Sequence, residues 1–363
     1  KGCTDSCGTE YKIEIRRGTN CGKQFWIWVD LGINPLEIGE CYLVMINTGT
    51  SSCGHMITQI FQNKVICPEC STTCDDLGGA CCDSGQTCIG AEIPGASDCL
   101  GYSCCNGTCQ GINSAIIADH TTINKFDSIP NSWIEKAKER FRISYGHTSH
   151  GSQIISGMNV LKAKSNLYSF SNSGGTGILS IHDRIPSGDL GNPDRTTWAT
   201  RTRTMLDNQN NDRNIVMWSW CGQADTSESN MQIYLDLMNQ LELDYPDITF
   251  IYMTGHLTGT GENGNLNQRN NQIRDFCKTN NKTLFDFADI ESYNPDGSYF
   301  LNQGATDSCS YDGGNWADEW CAANPSSDMC STCSCAHSKS LNCNMKAMAF
   351  WWMLARLAGW SGE

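Results

Sequence analysis

The stretch FRISYGHTSHGSQIISGM, from Phe141 to Met158, decides the fold that this sequence favours. Its first part, Phe141–Tyr145, places an apolar side chain at every second position, as a strand does, and the polar run Gly146–Gly151 follows it. Apolar residues then recur at helical spacing. A hydroxyl in such a strand–turn–helix unit lies at the carboxyl edge of a sheet, near the positive end of the helix. The stretch therefore predicts an α/β fold in which Ser149 is either a nucleophile or the N-cap of the helix.

Strand and helix patterns continue to alternate through residues 113–363. Such alternation predicts one mainly parallel sheet with helices on both faces, a three-layer α/β domain. The predicted strands are Arg142–Tyr145, Gly177–Ile181, Asn214–Trp220, Ile248–Met253 and Thr283–Phe287. The predicted helices are Met231–Leu243, Asn265–Cys277 and a closing helix with Ala347, Phe350, Trp351, Leu354 and Ala358 on one face.

Two smaller segments precede this domain. Residues 1–66 contain three β-rich runs, YKIEIR, FWIWVDL and CYLVMI, and predict a small β domain. Residues 67–112 have a cysteine every few positions and too few apolar side chains for a core, which indicates a disulfide-rich mini-domain. Trp26 and Trp28 lie in the second β run, where packing within the sheet is favoured over stacking on sugar rings.

Composition excludes two classes of partner. The formal charge is -14, from 39 acidic and 25 basic side chains, and the sequence contains no block of Lys or Arg. Such a chain repels phosphate backbones and anionic lipid, so we expect no nucleic-acid partner. The apolar run Met348–Trp360 contains Arg356 and is shorter than the roughly 20 residues that span a bilayer, so we expect no membrane anchor.

The 23 cysteines indicate an oxidising, extracellular compartment. The sequence starts at Lys1 without a hydrophobic signal segment, which we interpret as a processed, secreted chain. Because the number is odd, at least one thiol is unpaired or bonded to another molecule. Eight cysteines follow residue 110, and if these pair among themselves the remaining thiol belongs to the first part. Zinc binding by Cys330, Cys333, Cys335 and His337 is a minor alternative.

Polar residues follow each predicted strand of the α/β domain, and their order along the chain resembles the SGNH, or GDSL-like, hydrolase superfamily. That family places Ser after the first strand, Gly after the second, Asn after the third and His just before the last helix. The matching positions in this sequence are Ser149, Gly191, Gln223 and His337. The resemblance covers about residues 130–360 and implies a flavodoxin-like SGNH hydrolase domain.

The resemblance also implies roles for these four residues. Ser149 would be the nucleophile and His337 its general base, while the backbone N–H groups of Ser149 and Gly191 and the amide of Gln223 would bind the oxyanion. The sequence departs from the family at two positions. Gln223 replaces Asn, and Ser334 stands where the family has an Asp. Candidates to orient His337 are Asp328, Asp318 and Asp289, or a backbone carbonyl.

The function that this resemblance implies is hydrolysis of carboxylic esters by a secreted serine esterase. Acyl groups on extracellular polysaccharide, or small esters, are the expected substrates. No organic cofactor is expected because the sequence lacks a glycine-rich nucleotide loop, and no metal is assigned to the site. The alternative is an extracellular structural or adhesive subunit on a hydrolase-like scaffold, self-associating through the amino-terminal modules or an unpaired cysteine. Three features favour this alternative, namely the two departures from the family and the unpaired cysteine, which could link subunits.

Overall fold

The chain divides into two compact units, residues 1–112 and 113–363. The computed structural model describes residues 11–15, 25–29, 41–51, 54–65, 73–75, 77–82, 86–93, 99, 104–111 and 115–362.

The first unit consists of antiparallel strands. Two hairpins form from β1 (Tyr11–Ile15) with β2 (Phe25–Val29) and from β3 (Cys41–Ser51) with β4 (Gly54–Val65). Only the backbone of these four strands is described, so the predicted packing of Trp26 and Trp28 lies outside the described residues. A three-stranded sheet follows, in which β7 (Cys104–Gly111) lies between β5 (Ala80–Cys81) and β6 (Gln86–Ile93).

Four disulfides hold this three-stranded sheet together. The pairs are Cys74–Cys104, Cys81–Cys99, Cys82–Cys109 and Cys88–Cys105. The buried cluster in this part of the chain is formed by Cys74, Cys99 and Cys104, with Cys81 and Ile93 packed against it. Cystine sulfur thus fills the space that aliphatic side chains fill in a larger domain.

The second unit contains a seven-stranded parallel sheet with the order β10-β11-β9-β12-β13-β14-β8. The five strands β9, β11, β12, β13 and β14 therefore have the order 2-1-3-4-5 in chain sequence, which is the flavodoxin-like order. The strands are β8 (Ile116–Ala118), β9 (Arg142–Gly146), β10 (Phe170–Ser171), β11 (Leu179–Asp183), β12 (Ile215–Trp218), β13 (Thr249–Met253) and β14 (Thr283–Phe285). A separate two-stranded ribbon joins β15 (Ser310–Tyr311) to β16 (Gly314–Asn315).

Helices cover both faces of this sheet, as predicted. They are α1 (Asn131–Arg140), α2 (Ser152–Lys164), α3 (Thr197–Leu206), α4 (Glu228–Asp244), α5 (Asn265–Thr279), α6 (Phe287–Ser292), α7 (Trp316–Ala323) and α8 (Ser340–Leu357). Leu284 belongs to the core formed with α3, α4 and α5, whereas the next residue, Phe285, contacts Phe350 of α8. Because neighbouring side chains of a strand point to opposite faces, α8 lies on the face opposite α3, α4 and α5.

Gly157 lets α2 approach α8 closely. A Cβ at this position would overlap the backbone carbonyl of Cys343, at the start of α8. The loop that carries His337 leads directly into α8. The two segments that flank Ser149 and His337 are thus fixed against each other.

The disulfides of the second unit are confined to one region. Cys321–Cys330 and Cys335–Cys343 are bonded, whereas Cys221, Cys277, Cys309 and Cys333 are unpaired. Only half of the eight later cysteines are oxidised, so the condition under which the remaining thiol would belong to the first part is not met. The zinc alternative is wrong, because two of its three cysteines, Cys330 and Cys335, are in disulfides.

In the described part of the chain, none of the helices combines the length and the apolar character that a membrane crossing requires.

Candidate active site

The loop between β9 and α2 holds Ser149 at the carboxyl edge of the sheet. Gly146 ends β9 beneath the ring of Trp218, which leaves no room for a Cβ. The Ser149 carbonyl accepts hydrogen bonds from the backbone N–H and the hydroxyl of Ser152, at 3.2 and 2.6 Å, and so starts α2. The side chain of Ser149 is therefore not needed as a helix cap and is half-buried beside the next loop.

His147 and Thr148 brace this loop against the end of β11. The ring of His147 is buried between two oxygen atoms. Its Nε2 lies 2.6 Å from Oδ1 of Asp183, and its Nδ1 lies 2.6 Å from the Thr148 carbonyl oxygen. The Thr148 hydroxyl donates to the Asp189 carboxylate. His147 is thus a structural residue that fixes the turn around Ser149.

Gly191 and Gln223 lie side by side on the two loops that follow β11 and β12. Gly191 has a φ of +80°, and a Cβ there would lie 3.1 Å from Cβ of Gln223 and 3.0 Å from the Trp220 ring. Only glycine fits such a position without strain. The two predicted oxyanion residues are therefore neighbours.

Several hydrogen-bond donors around Ser149 have no acceptor among the described residues. The side-chain oxygen of Gln223 accepts from the Cys221 backbone N–H at 3.1 Å, which leaves the Gln223 amino group unpaired. The backbone N–H groups of Ser149 and Gly191 likewise donate to none of the described groups. Donors left unpaired in a pocket are available to a substrate oxygen. Gln223 does not cap α4, because Ser227 does so.

His337 lies in a loop that is restrained on both sides. The Cys335–Cys343 disulfide spans it, and Gln153, the second residue of α2, donates to the Ala336 carbonyl at 2.6 Å. His337 itself has a φ of +63°, a conformation that costs a non-glycine residue about 1 kcal/mol or more and is common at functional sites. Its exposed ring stacks on His150, with ring centroids 4.3 Å apart.

No hydrogen bond joins Ser149 to His337 among residues 115–362. Each candidate carboxylate for His337 has another partner. Asp289 pairs with His120 at 2.6 Å, Asp318 with Lys339 at 2.6 Å, and Asp328 with Lys164 at 3.5 Å. These three predictions for the orienting carboxylate find no support in the structure.

The sequence offers His150 and His256 either as pocket residues or as structural histidines, and the structure connects His150 to Cys221 and Asp307, a link that the sequence did not predict. His150 Nδ1 lies 3.3 Å from the Cys221 sulfur, and His150 Nε2 lies 3.0 Å from the Asp307 carboxylate. The Ser149 hydroxyl is 4.0 Å from the same sulfur. His150 is only 6% exposed and stacks in parallel on His256, with centroids 3.7 Å apart.

Burial and charge set the protonation of this group. Burial lowers the pKa of His150, and its hydrogen bond to Asp307 only partly opposes this. For Asp307, burial favours the neutral acid, but the hydrogen bond from His150 and the neighbouring histidines outweigh it and lower the pKa. His150 is thus a neutral imidazole at pH 7, held by an ionised carboxylate.

Ligand atoms of His150, His256 and Asp307 lie within 4.8 Å of one another, as in a metal site. The stacking of the two histidine rings argues against a metal ion bound by both of them. A metal bound to imidazole lies in the plane of the ring, and these two rings are parallel to within 3° at a separation of 3.7 Å. One ion cannot lie in both planes. The arrangement fits hydrogen bonding to Asp307 better than metal binding.

A buried ion pair is hydrogen-bonded to residues next to the candidate site. Lys346 and Glu291 are both fully buried and 2.7 Å apart. Lys346 also donates to the side chain of Gln153, which holds the His337 loop, and Glu291 accepts from the Leu257 backbone N–H at 2.6 Å, next to His256. The network therefore connects the loops that carry two of the three stacked histidines.

Comparison of the chain with protein-family models, with curated proteins and with solved structures finds no match.

Proposed function

We propose that this chain is a secreted ester hydrolase of the SGNH type, with its active site at the carboxyl edge of the parallel sheet. The observation that carries the proposal is the group of unpaired donors on Ser149, Gly191 and Gln223, on loops that meet beside the Ser149 hydroxyl. The site lies between β9 and β12, where the flavodoxin-like strand order reverses and ligands bind in this architecture.

In the proposed reaction, His337 takes the proton of the Ser149 hydroxyl as the oxygen attacks the ester carbonyl. The donors of Ser149, Gly191 and Gln223 bind the oxyanion, and the proton passes to the leaving alcohol. Water then hydrolyses the acyl-enzyme with His337 as base. The hydrogen bond between Ser149 and His337 would form only with substrate, as is common in catalytic sites without ligand.

The proposed substrates are small esters or acyl groups on extracellular polysaccharide. Six disulfides in the described residues fit an extracellular protein. The choice of polysaccharide rests on analogy with carbohydrate esterases of the same superfamily.

One observation favours the alternative of a non-catalytic structural subunit. His337 has neither a hydrogen bond to Ser149 nor a carboxylate partner among the described hydrogen bonds. In that case the donors around Ser149 would remain unused, and a broad panel of acylated sugars and aryl esters would show no turnover.

The test compares hydrolysis of p-nitrophenyl acetate and acetylated xylan by wild type and by Ser149→Ala. We expect the substitution to lower kcat by about 10⁴-fold or more, since it removes the nucleophile. Gln223→Ala should lower kcat by about 10² to 10³-fold, as for the loss of one oxyanion donor. Ser156→Ala, a half-buried serine farther along α2, is the matched control and should leave turnover unchanged. Equal activity of wild type and Ser149→Ala would show that Ser149 is not the nucleophile.

A further inference from the structure

Cys221 differs from the other unpaired cysteines in the described part of the chain. Cys277 and Cys309 are buried, and burial raises the pKa of both thiols, Cys309 to about 12. Cys333 is half-buried like Cys221, but its sulfur lies near the Ser340 carbonyl, at 3.9 Å. Cys221 is the one whose sulfur contacts an imidazole.

The contact has the geometry of a catalytic dyad with an orienting group. In such sites a nucleophile lies within hydrogen-bond reach of a base, and a third side chain fixes the base. Cys221, His150 and Asp307 satisfy this, at 3.3 Å and 3.0 Å. Because Asp307 is an acceptor, it fixes the His150 proton on Nε2. Nδ1 is then free to accept the thiol proton of Cys221.

We propose that Cys221, His150 and Asp307 form a second nucleophilic triad beside Ser149, and that Cys221 accepts acyl groups from esters as a thioester. The identity of the acyl donor rests on the proposed function, whereas the reactivity of the thiol does not. Cys221 lies 4.0 Å from the Ser149 hydroxyl, and its backbone N–H holds the side chain of Gln223. An ester bound for attack by Ser149 is therefore also close to the sulfur.

The step is balanced without a further reactant. His150 Nδ1 takes the proton from the Cys221 thiol, and the sulfur electron pair forms a bond to the acyl carbon. The bond from that carbon to the alcohol oxygen breaks, and the departing oxygen takes the proton from His150. The products are one S-acyl cysteine and one free alcohol. Asp307 remains ionised throughout and stabilises the imidazolium, so it is a positioning residue.

The first measurement is the rate of alkylation of the native wild-type chain by iodoacetamide at pH 7, followed for each cysteine by peptide mass spectrometry. Cys333 is an internal control of similar exposure without an imidazole. We expect Cys221 to react about 10-fold faster than Cys333 or more, because His150 Nδ1 lies 3.3 Å from the Cys221 sulfur and can take the thiol proton as the sulfur attacks. Asp307→Asn should remove most of the difference in alkylation rate between Cys221 and Cys333.

The second measurement uses Ser149→Ala, in which the competing nucleophile is absent. After treatment with p-nitrophenyl acetate, we expect one acetyl group on Cys221, released by neutral hydroxylamine as thioesters are. Alkylation of Cys221 no faster than Cys333, or absence of acetyl from Cys221, would overturn the proposal. Failure of the Ser149 assignment is distinguishable, because it would appear as unchanged ester hydrolysis in Ser149→Ala whatever the alkylation rates.

Discussion

The cysteine-rich segment 73–111 and the α/β unit 115–362 are stabilised by different means. In the segment, all eight described cysteines are in disulfides, and they form the buried cluster themselves. In the α/β unit, a large apolar core packs helices on the sheet, and its two disulfides both lie between residues 321 and 343. Disulfides thus replace a core in the segment, whereas in the α/β unit one of them spans the loop of His337.

Reduction should give the largest difference between the two regions. With dithiothreitol, we expect residues 73–111 to lose their protection from hydrogen exchange, since each disulfide there contributes about 3 to 4 kcal/mol through loop closure. The sheet strands of the α/β unit should remain protected because the apolar core is unaffected. Simultaneous loss of protection in both regions would contradict the comparison.

The next largest effect should come from the buried ion pair of the α/β unit. Lys346→Met leaves the fully buried Glu291 uncompensated and should lower the free energy of unfolding by about 3 to 5 kcal/mol. Lys346→Met combined with Glu291→Gln should cost less than the sum of the two single substitutions. Urea unfolding of the four proteins measures this coupling, and strict additivity would show that the two charges do not interact.

The two disulfides of the α/β unit close loops of similar length, and only one of these loops contains His337. They span 8 and 9 residues, so replacing either by two alanines should cost a similar amount, about 2 to 3 kcal/mol. Only loss of Cys335–Cys343 releases the loop of His337, and it should lower kcat for p-nitrophenyl acetate more than loss of Cys321–Cys330. Equal effects on kcat would mean that the disulfide does not position His337.

The smallest effect is expected at an exposed ion pair. Asp318 pairs with Lys339 at 2.6 Å, but both side chains are about half exposed, so the pair contributes little. Asp318→Asn should change the free energy of unfolding by less than about 0.5 kcal/mol. It should also leave kcat unchanged, because Asp318 does not contact His337. A clear fall in kcat would restore Asp318 as the orienting residue.

The sequence predicted the architecture of the α/β unit well because short apolar strand runs alternate with longer helical patterns. All five predicted strands form within a few residues of their expected ends, and α4 and α5 match the predicted helices. The edge strands β8 and β10 have three and two residues, too few to show a period. The pairing of the later cysteines could not be predicted, because which thiols meet depends on tertiary distances that spacing does not show.

The site could be predicted only where strand order sets position. Ser149, Gly191 and Gln223 follow β9, β11 and β12, which are neighbours in the parallel sheet, so we expected their loops to lie at the same edge. Asp307 lies in an irregular loop between α6 and α7, and no pattern in the sequence linked it to His150. Ser149 lies next to His150 in the sequence, and the strand–turn–helix pattern pointed to the serine. The hydrogen bonds of His150 to Cys221 and Asp307 are recognised only from interatomic distances.

The most direct test of the central claim is covalent labelling of the native chain by an aryl fluorophosphonate, with the adduct located by mass spectrometry. The account predicts one adduct per chain, on the Ser149 hydroxyl, absent after denaturation and absent in Ser149→Ala. No adduct on the native chain, or an adduct on another residue with Ser149 unmodified, would contradict it.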